Sequence, residues 1–483
     1  MAQQQVQQGK PKVTRLPLLG AYSNRDATTV KDQRYVNIFP ETRKVEQLEN
    51  TKIAMLKRPG LTLYKNIATG QGRGITYFKG KFYVAIGNTV YEDGVTPTAK
   101  ITLTGSTGPL GMLQANSASI GDYLFICDGT SAWYIKSDFS VTQVVDADFP
   151  SPHIPSPVFI DGYVALAKAN SVDVYTCDLD QPGNWTASNF LSAEMFPDYV
   201  SSLSRQNNQV CVLGTSSIEF FYDAANASGS PLSRNDSTTI QMGTCSPYAV
   251  IGNEKYIFYL SQSDSGGRAA WLIDGFQPKK VSDEFIERIL DSETNISAAH
   301  GFGVRVKGHL FYVINLVGVG RTLVYDSDEK LWHEWSSNSS GNHAIFNCSH
   351  IADNSSGVAY LLDDSNGNVY TLNPLAYTDN GTAILVEIVT NKYDMDTYHR
   401  KFMWSLRLVA DRYSTGSANS VTLNWSDDDY QNWSNDKTIP LTDDWPAFQR
   451  LGSFRRRAFK LRHSSNNPLR LESLEVEFTE GTH

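Results

Sequence analysis

From about Lys57 onward the chain runs in short segments where apolar and polar residues alternate, cut by Gly, Asp or Asn turns. A two-residue period bounded by turn residues predicts strands rather than helices. One unit recurs. A turn residue precedes two or three alternating apolar positions, a polar turn follows, and a second strand ends in an aromatic. The copies are KGKFYVAIGNTVYEDG (79–94), IGDYLFICDGTSAWYIKSD (120–138), FIDGYVALAKANSVDVYTCD (159–178) and NNQVCVLGTSSIEFFYDA (207–224). They continue as NEKYIFYLSQSDSGGRAAWLIDG (253–275), KGHLFYVINLVGVGRTLVYDSDEKLW (307–332) and GVAYLLDDSNGNVYTLNP (357–374). A hairpin repeated roughly every 40 to 50 residues is the signature of a β-propeller, one unit per blade. An ordinary sandwich also spaces its strands closely, but it has no reason to repeat the same inner hairpin. The reading is an all-β chain with a propeller of six to eight blades over 57–375.

After about Leu375 the repeat stops. AILVEIVTNKY, FMWSLRLVADRY, SVTLNWSDDDYQNW, RRAFKLRH and LRLESLEVEF read as longer strands, and they predict a β-sandwich over 376–483. In the last of them Leu474, Val476 and Phe478 alternate with Glu475 and Glu477, so one face is buried and one wet. Residues 1–56, with Pro11, Pro17 and Pro40, read as an extended arm. Its part from Lys10 to Glu41 has too little periodic apolar pattern to fold alone and is expected to order only against the propeller or a neighbouring ring protein. One segment breaks the β pattern: Phe285, Ile286, Ile289 and Leu290 recur at helical spacing behind Ser282, the expected N-cap.

The 483 residues carry 42 Lys+Arg against 51 Asp+Glu, a formal net charge of −9, and are 41% hydrophobic. That composition supports sizeable cores and excludes global disorder. The acidic balance argues against a nucleic-acid binder held by phosphate contacts, though not against a protein past which DNA slides. No run of 18 apolar residues predicts a membrane helix, and the Gln-rich start has no apolar stretch for secretion. Cys127, Cys177, Cys211, Cys245 and Cys348 are widely spaced, contain no CxxC, and read as buried free thiols.

No catalytic constellation stands out: GxSxG, HExxH, Walker and strand–helix GxGxxG patterns are all missing. The expectation is a non-enzymatic protein without cofactor or metal. His343 and His350 sit in Asn/Ser-rich loops and read as structural. SDDDYQNW (426–433) resembles the Asp box of sialidase-type propellers, Ser-x-Asp-x-Gly-x-Thr-Trp, with Tyr430 for the Gly and Asn432 for the Thr. That box closes a hairpin and carries no catalysis, so an Asp-rich turn is expected. Asp427, Asp428 and Asp429 with Asp443 and Asp444 offer oxygen ligands for Ca²⁺ but lack EF-hand spacing. Against the acidic chain stands a basic patch, from which Arg455, Arg456, Arg457, Lys460 and Arg462 are the candidate partner-binding residues. A strand there points Phe459 and Leu461 one way and Lys460 and Arg462 the other. A solvated basic face, an acidic protein partner and phosphate contact are the three readings.

RLPLLGAYSNRD with DQRYVNIFPE (15–41), LKRPGLTLY (56–64), GTSSIEFFYDA (214–224), TLVYDSDEKLWHEW (322–335) and QRLGSFRRRAFKLR (449–462) resemble, in the same order, the packaged-DNA stabilisation proteins of short-tailed phages. These are also called tail hub or nozzle proteins. The resemblance spans Arg15 to Phe478. It implies a structural virion protein of the tail, assembled in the bacterial host cytoplasm. As such it forms a homo-hexameric ring below the portal and its adaptor ring and retains the packaged DNA. The ring extends a channel through which DNA passes without tight binding, and it anchors a tail fibre or spike and a needle or plug. No membrane partner is implied. The Gln-rich start and the loops around 226–239 depart from the family pattern, which leaves partner identity open. A propeller-type glycosidase or polysaccharide-degrading tail protein is the rival reading, and it needs two carboxylates flanking a cleft.

Overall fold

The computed structural model describes residues 11–19, 33–43, 52–252, 255–263, 265–412, 419–443 and 445–481. They divide into two compact units. One comprises Thr62–Thr322 and Phe346–Leu372, the other Met1–Leu61, Leu323–Ile345 and Asn373–His483.

The first unit is the propeller. Five consecutive four-stranded antiparallel sheets span Gly72–Thr102, Gly111–Gln143, Val158–Ser192, Val200–Arg234 and Ile251–Lys280. A further strand pair, His300–Val306 with His309–Leu316, follows. The circuit ends with Cys348–Asp353, Ala359–Asp363 and Asn368–Asn373. The strand Gly60–Asn66, whose residues from Thr62 belong to this unit, lies beside Asn368–Asn373 as the fourth strand of that last sheet. Ile67 N–H donates to the Gly367 carbonyl at 3.1 Å, and Thr371 Oγ1 donates to the Thr62 carbonyl at 3.3 Å. Six four-stranded blades and one strand pair thus close the ring, within the expected six to eight. The innermost strands neighbour one another in chain order, and Cys348–Asp353 returns to Gly72–Phe78.

Local sequence explains the blades. In three of them, and in the strand pair, the first and second strands meet at two-residue turns: Lys79-Gly80, Asp161-Gly162, Asn207-Asn208 and Lys307-Gly308. Both residues of each have positive φ, the twist a tight antiparallel hairpin requires. The second strands carry most of the burial: Phe82 to Ile86, Tyr123 to Cys127 and Val210 to Gly214 are buried without a break. Both of their faces are covered, because apolar clusters lie between neighbouring blades. Phe78, Tyr83 and Val90 with Leu124, Ile126 and Trp133 form one such cluster. Ile75, Val84 and Ile86 with Leu362 and Val369 form the one that joins the last blade to the first.

The expected helix is present as Glu284–Ser292, with Ile286, Ile289 and Leu290 buried. Its cap is Asp283 rather than Ser282: Asp283 Oδ1 accepts from Ile286 N–H at 2.9 Å. Ser282 is used otherwise, its Oγ accepting from Ala270 N–H and donating to Glu287 Oε1.

The second unit is the β-sandwich. In one sheet Arg34–Val36 lies between Leu331–Trp335 and Val386–Val389, followed by Ala458–His463, Ser420–Ser426 and Lys437–Pro440. In the other, Arg470–Glu480 pairs with Lys401–Ala410, Lys12–Pro17 and Lys52–Lys57, and the last of these pairs with Ile38–Arg43. Ile38, Met55, Leu406, Leu474 and Val476 meet Val386, Ile388, Leu423 and Leu461 in one core. The N-terminal segment read as an arm therefore supplies strands to this sandwich. Lys12–Pro17 holds only one buried residue, Leu16, so its place is fixed by register against Ser473–Phe478 rather than by its own pattern.

Candidate functional site

The five candidate cations lie in the sandwich on and before the strand Ala458–His463. As alternation requires, Phe459 and Leu461 are buried while Lys460 and Arg462 are half-exposed. The group is not a single basic surface. Arg457 is 1% exposed and structural: Nε and Nη2 each donate to Asp427 at 2.7 Å, and Nη1 donates to the Leu451 carbonyl. Its guanidinium lies against the Phe454 and Trp425 rings, at 4.5 and 5.3 Å from their centroids. Arg456 reaches Asp429 at 3.2 Å, and Arg462 reaches Asp436 at 2.6 Å and Asn424 at 3.0 Å. Lys460 sits 4.2 Å above the Trp433 ring, and burial lowers its pKa from the usual lysine range. Among the described residues Arg455 has no carboxylate partner. It donates to the Tyr398 carbonyl at 2.8 Å, with its guanidinium 5.6 Å from that residue's ring.

The Asp-rich turn is a hairpin closure. Asp428 accepts from Ser426 Oγ, Asn432 N–H and Asn432 Nδ2, and these bonds pull its pKa down to about 2. Asp429 and Tyr430 take positive φ to complete the bend. The three consecutive aspartates thus serve Arg457, the turn itself and Arg456 with Lys392. Each is committed within the fold, and no group of metal-ligating side chains occurs among the described residues. His343 bonds Ser336 Oγ at 2.8 Å. His350 stacks on His300 and bonds Ser349 Oγ, and burial lowers its pKa to about 3. The five cysteines are free thiols, four of them buried, and burial pushes Cys177 up to about 12 and Cys245 to about 11.

Beside Arg455 the sandwich exposes an aromatic face that composition and motif did not single out. Phe402 lies opposite Ser453, and Trp404, at a β-bulge between Met403 and Ser405, is exposed like Phe402, with Met403 buried between them. Trp404 is 53% exposed and Trp445 72%, with Arg407 5.5 Å from the Trp445 ring. Arg407 also pairs with Glu475 at 3.2 Å and Glu477 at 3.6 Å. The signal was in FMWSLRL, where large apolar residues occupy both phases of the alternation. Exposed tryptophan and arginine together are the composition of interaction surfaces.

In the propeller, the inner strands enclose a cavity of about 770 Å³, lined by Met112, Gln114, Phe159, Ser204, Arg205 and Gly252 among others. Its volume is in the range of small-molecule sites, roughly 300–1,000 Å³.

A model of the phage-stabilisation family, described as bacteriophage P22 Gp10, β-propeller, matches residues 14–375. The chain belongs to this family. The phage-stabilisation match covers the propeller together with sandwich strands near the N-terminus, and it makes the chain a phage structural tail protein. No match was found among curated proteins. Among solved structures the chain is similar to a streptogramin B lyase, at 9% identity and a TM-score of 0.39 over 66% of this chain and 97% of that one. It is also similar to the extracellular domain of the putative hybrid two-component system BT4673 from B. thetaiotaomicron, at 12% and 0.43 over 65% and 39%. Kuenenia stuttgartiensis hydrazine synthase gives 12% and 0.40 over 64% and 97%. These likenesses are too distant to bear on activity. No helix among the described residues is long and apolar enough to cross a membrane.

Proposed function

We propose that the chain is one subunit of a homo-hexameric tail hub, a ring below the portal and adaptor that extends the DNA channel and retains the packaged genome. The match to the phage-stabilisation family over 14–375 carries this reading. The face of Phe402, Trp404, Trp445 and Arg455 is the surface offered to other tail proteins, a fibre or spike or a needle or plug. It replaces the wider basic patch in that role, because Arg457 is consumed in the core and Arg456 and Arg462 are neutralised. Mass photometry of the protein extracted from virion tails is expected to give six copies, and a monomer there would refute the ring.

Conduction and tight phosphate binding oppose each other, because neutralised phosphates release counterions and hold the duplex. A charge of −9 per chain, repeated around a ring, keeps the path weakly repulsive. The purified protein is therefore expected to show no duplex binding by fluorescence anisotropy at about 0.15 M salt. Heads assembled without it are expected to fill and then leak. Sub-micromolar duplex affinity, or stable filled heads in its absence, would overturn steric retention.

A further inference from the structure

A second cavity, of about 530 Å³, lies in the propeller where the helix Glu284–Ser292 meets the strands Tyr256–Gln262 and Arg268–Asp274. The volume falls within the roughly 300–1,000 Å³ of small-molecule sites. One wall is apolar and aromatic: Trp271, half-buried at the edge of an interblade core, with Met242 and Phe196. The remainder is polar, from Gln262, Lys280, Glu287 and Asp291.

The charges of this cavity are satisfied internally. Lys280 Nζ lies 2.8 Å from Glu287 Oε1. Arg268 is drawn away to the helix C-terminus, where Nη1 donates to the Leu290 and Glu293 carbonyls at 2.9 and 2.6 Å. Asp291 Oδ1 accepts from Arg268 N–H at 2.8 Å. Lys280 is paired with Glu287 and the Arg268 guanidinium is turned to the helix end, so among the described residues the lining presents no free cation, and its carboxylate oxygens disfavour an anionic ligand. It does offer separate hydrogen-bonding atoms. Gln262 gives its oxygen to Arg268 Nε and keeps its amide N–H groups, while Glu287 Oε2 and Asp291 Oδ2 have no partner among the described residues. Donors and acceptors therefore stand close together beside an indole.

A ligand that suits this lining is uncharged, has an apolar face for Trp271, and carries hydroxyls that both donate and accept. A pyranose ring has these properties: C–H bonds across its face and hydroxyls around its edge. We propose that the cavity binds a neutral saccharide of one or two pyranose rings, placed against Trp271 and hydrogen-bonded to Gln262, Glu287 and Asp291. The ligand is bound and not cleaved. Hydrolysis needs two carboxyl groups flanking the scissile bond, whereas Glu287 and Asp291 are four residues apart on one face of one helix and approach from the same side.

Saturation-transfer NMR of the full chain tests this against glucose, galactose, mannose and N-acetylglucosamine, with maltose, lactose and cellobiose. Transfer to ring C–H protons is expected for at least one of them. Trp271→Ala is expected to weaken that binding at least about tenfold, equivalent to 1.4 kcal/mol. Trp271 touches a core, so Gln262→Ala provides the second arm: its side chain is exposed, and a loss of about threefold or more is expected from one hydrogen bond. Arg205→Ala, in the other cavity, is expected to change nothing. The proposal is overturned if no sugar of the panel binds, if binding survives both cavity variants, or if the disaccharides are split.

Discussion

Arg457→Ala is expected to destabilise the sandwich by about 3 kcal/mol or more, the lower part of the range for removing one partner of a buried ion pair. Three donor groups of that side chain are engaged, and its aliphatic and planar parts fill space between Phe454 and Trp425. Asp427 is left without its partner, but its side chain is 38% exposed and rehydrates, which keeps the loss from the top of the range. Arg457→Lys is expected to recover only part of the stability, because an ammonium cannot make the two parallel bonds to Asp427. Arg455→Ala, by contrast, is expected to leave the urea midpoint nearly unchanged, since Arg455 is exposed and among the described residues bonds only a carbonyl. Equal midpoints for the Arg457 and Arg455 variants would return Arg457 to the surface role that its sequence neighbourhood suggested.

Lys57→Met is expected to stabilise the protein, by roughly 4 kcal/mol at neutral pH. Lys57 is 2% exposed, and among the described residues its ammonium bonds only the Ser465 carbonyl, at 2.8 Å. Burial first and the neighbouring Arg58 second bring its pKa from 10.5 to about 7, against a smaller opposing pull from Asp379. Between those two values the unfolded chain holds a proton that the folded chain has released. Stability contributed by this group therefore rises with pH from about 7 towards 10.5, and the full cost of the buried charge is carried below about 7. The difference between wild-type and Lys57→Met unfolding free energies, followed between about pH 7.5 and 9.5, is expected to shrink as pH rises. Taking the difference cancels the cysteines, which titrate in the unfolded state over the same range. A difference that stays flat would mean that Lys57 remains charged in the folded chain.

What was legible in the sequence follows from how local its cause is. The second strands of the blades could be read because both of their faces are covered, leaving apolar residues at nearly every position, and because in several blades a two-residue turn announces them. The outer strands are short and half-wet, as in Val141–Gln143 and Leu232–Arg234, and carry little pattern. Lys12–Pro17 could not be assigned to the sandwich because its partner, Arg470–Glu480, lies at the other end of the chain. In the candidate site the alternation of Phe459 and Leu461 with Lys460 and Arg462 was plain. The burial of Arg457 was not, because it depends on Asp427, brought up by a strand pairing between Ser420–Ser426 and Ala458–His463. Trp404 passed unnoticed because a strand with apolar residues in both phases reads simply as buried, and Trp445 because it lies outside any strand, in the bend before Ala447–Gln449.

The strand that completes the last blade sets an order on synthesis. Gly60–Asn66 leaves the ribosome before any blade exists, and its partner strand Asn368–Asn373 leaves some three hundred residues later. Until then the growing chain holds an incomplete ring with two open strand edges, the kind of surface that pairs with other chains. A host cell making many copies at once therefore faces its greatest hazard of tangling with the propeller nearly finished. A truncation just short of Asn368 is expected to yield a chain with most blades intact that still aggregates, whereas restoring that single strand lets the circle shut.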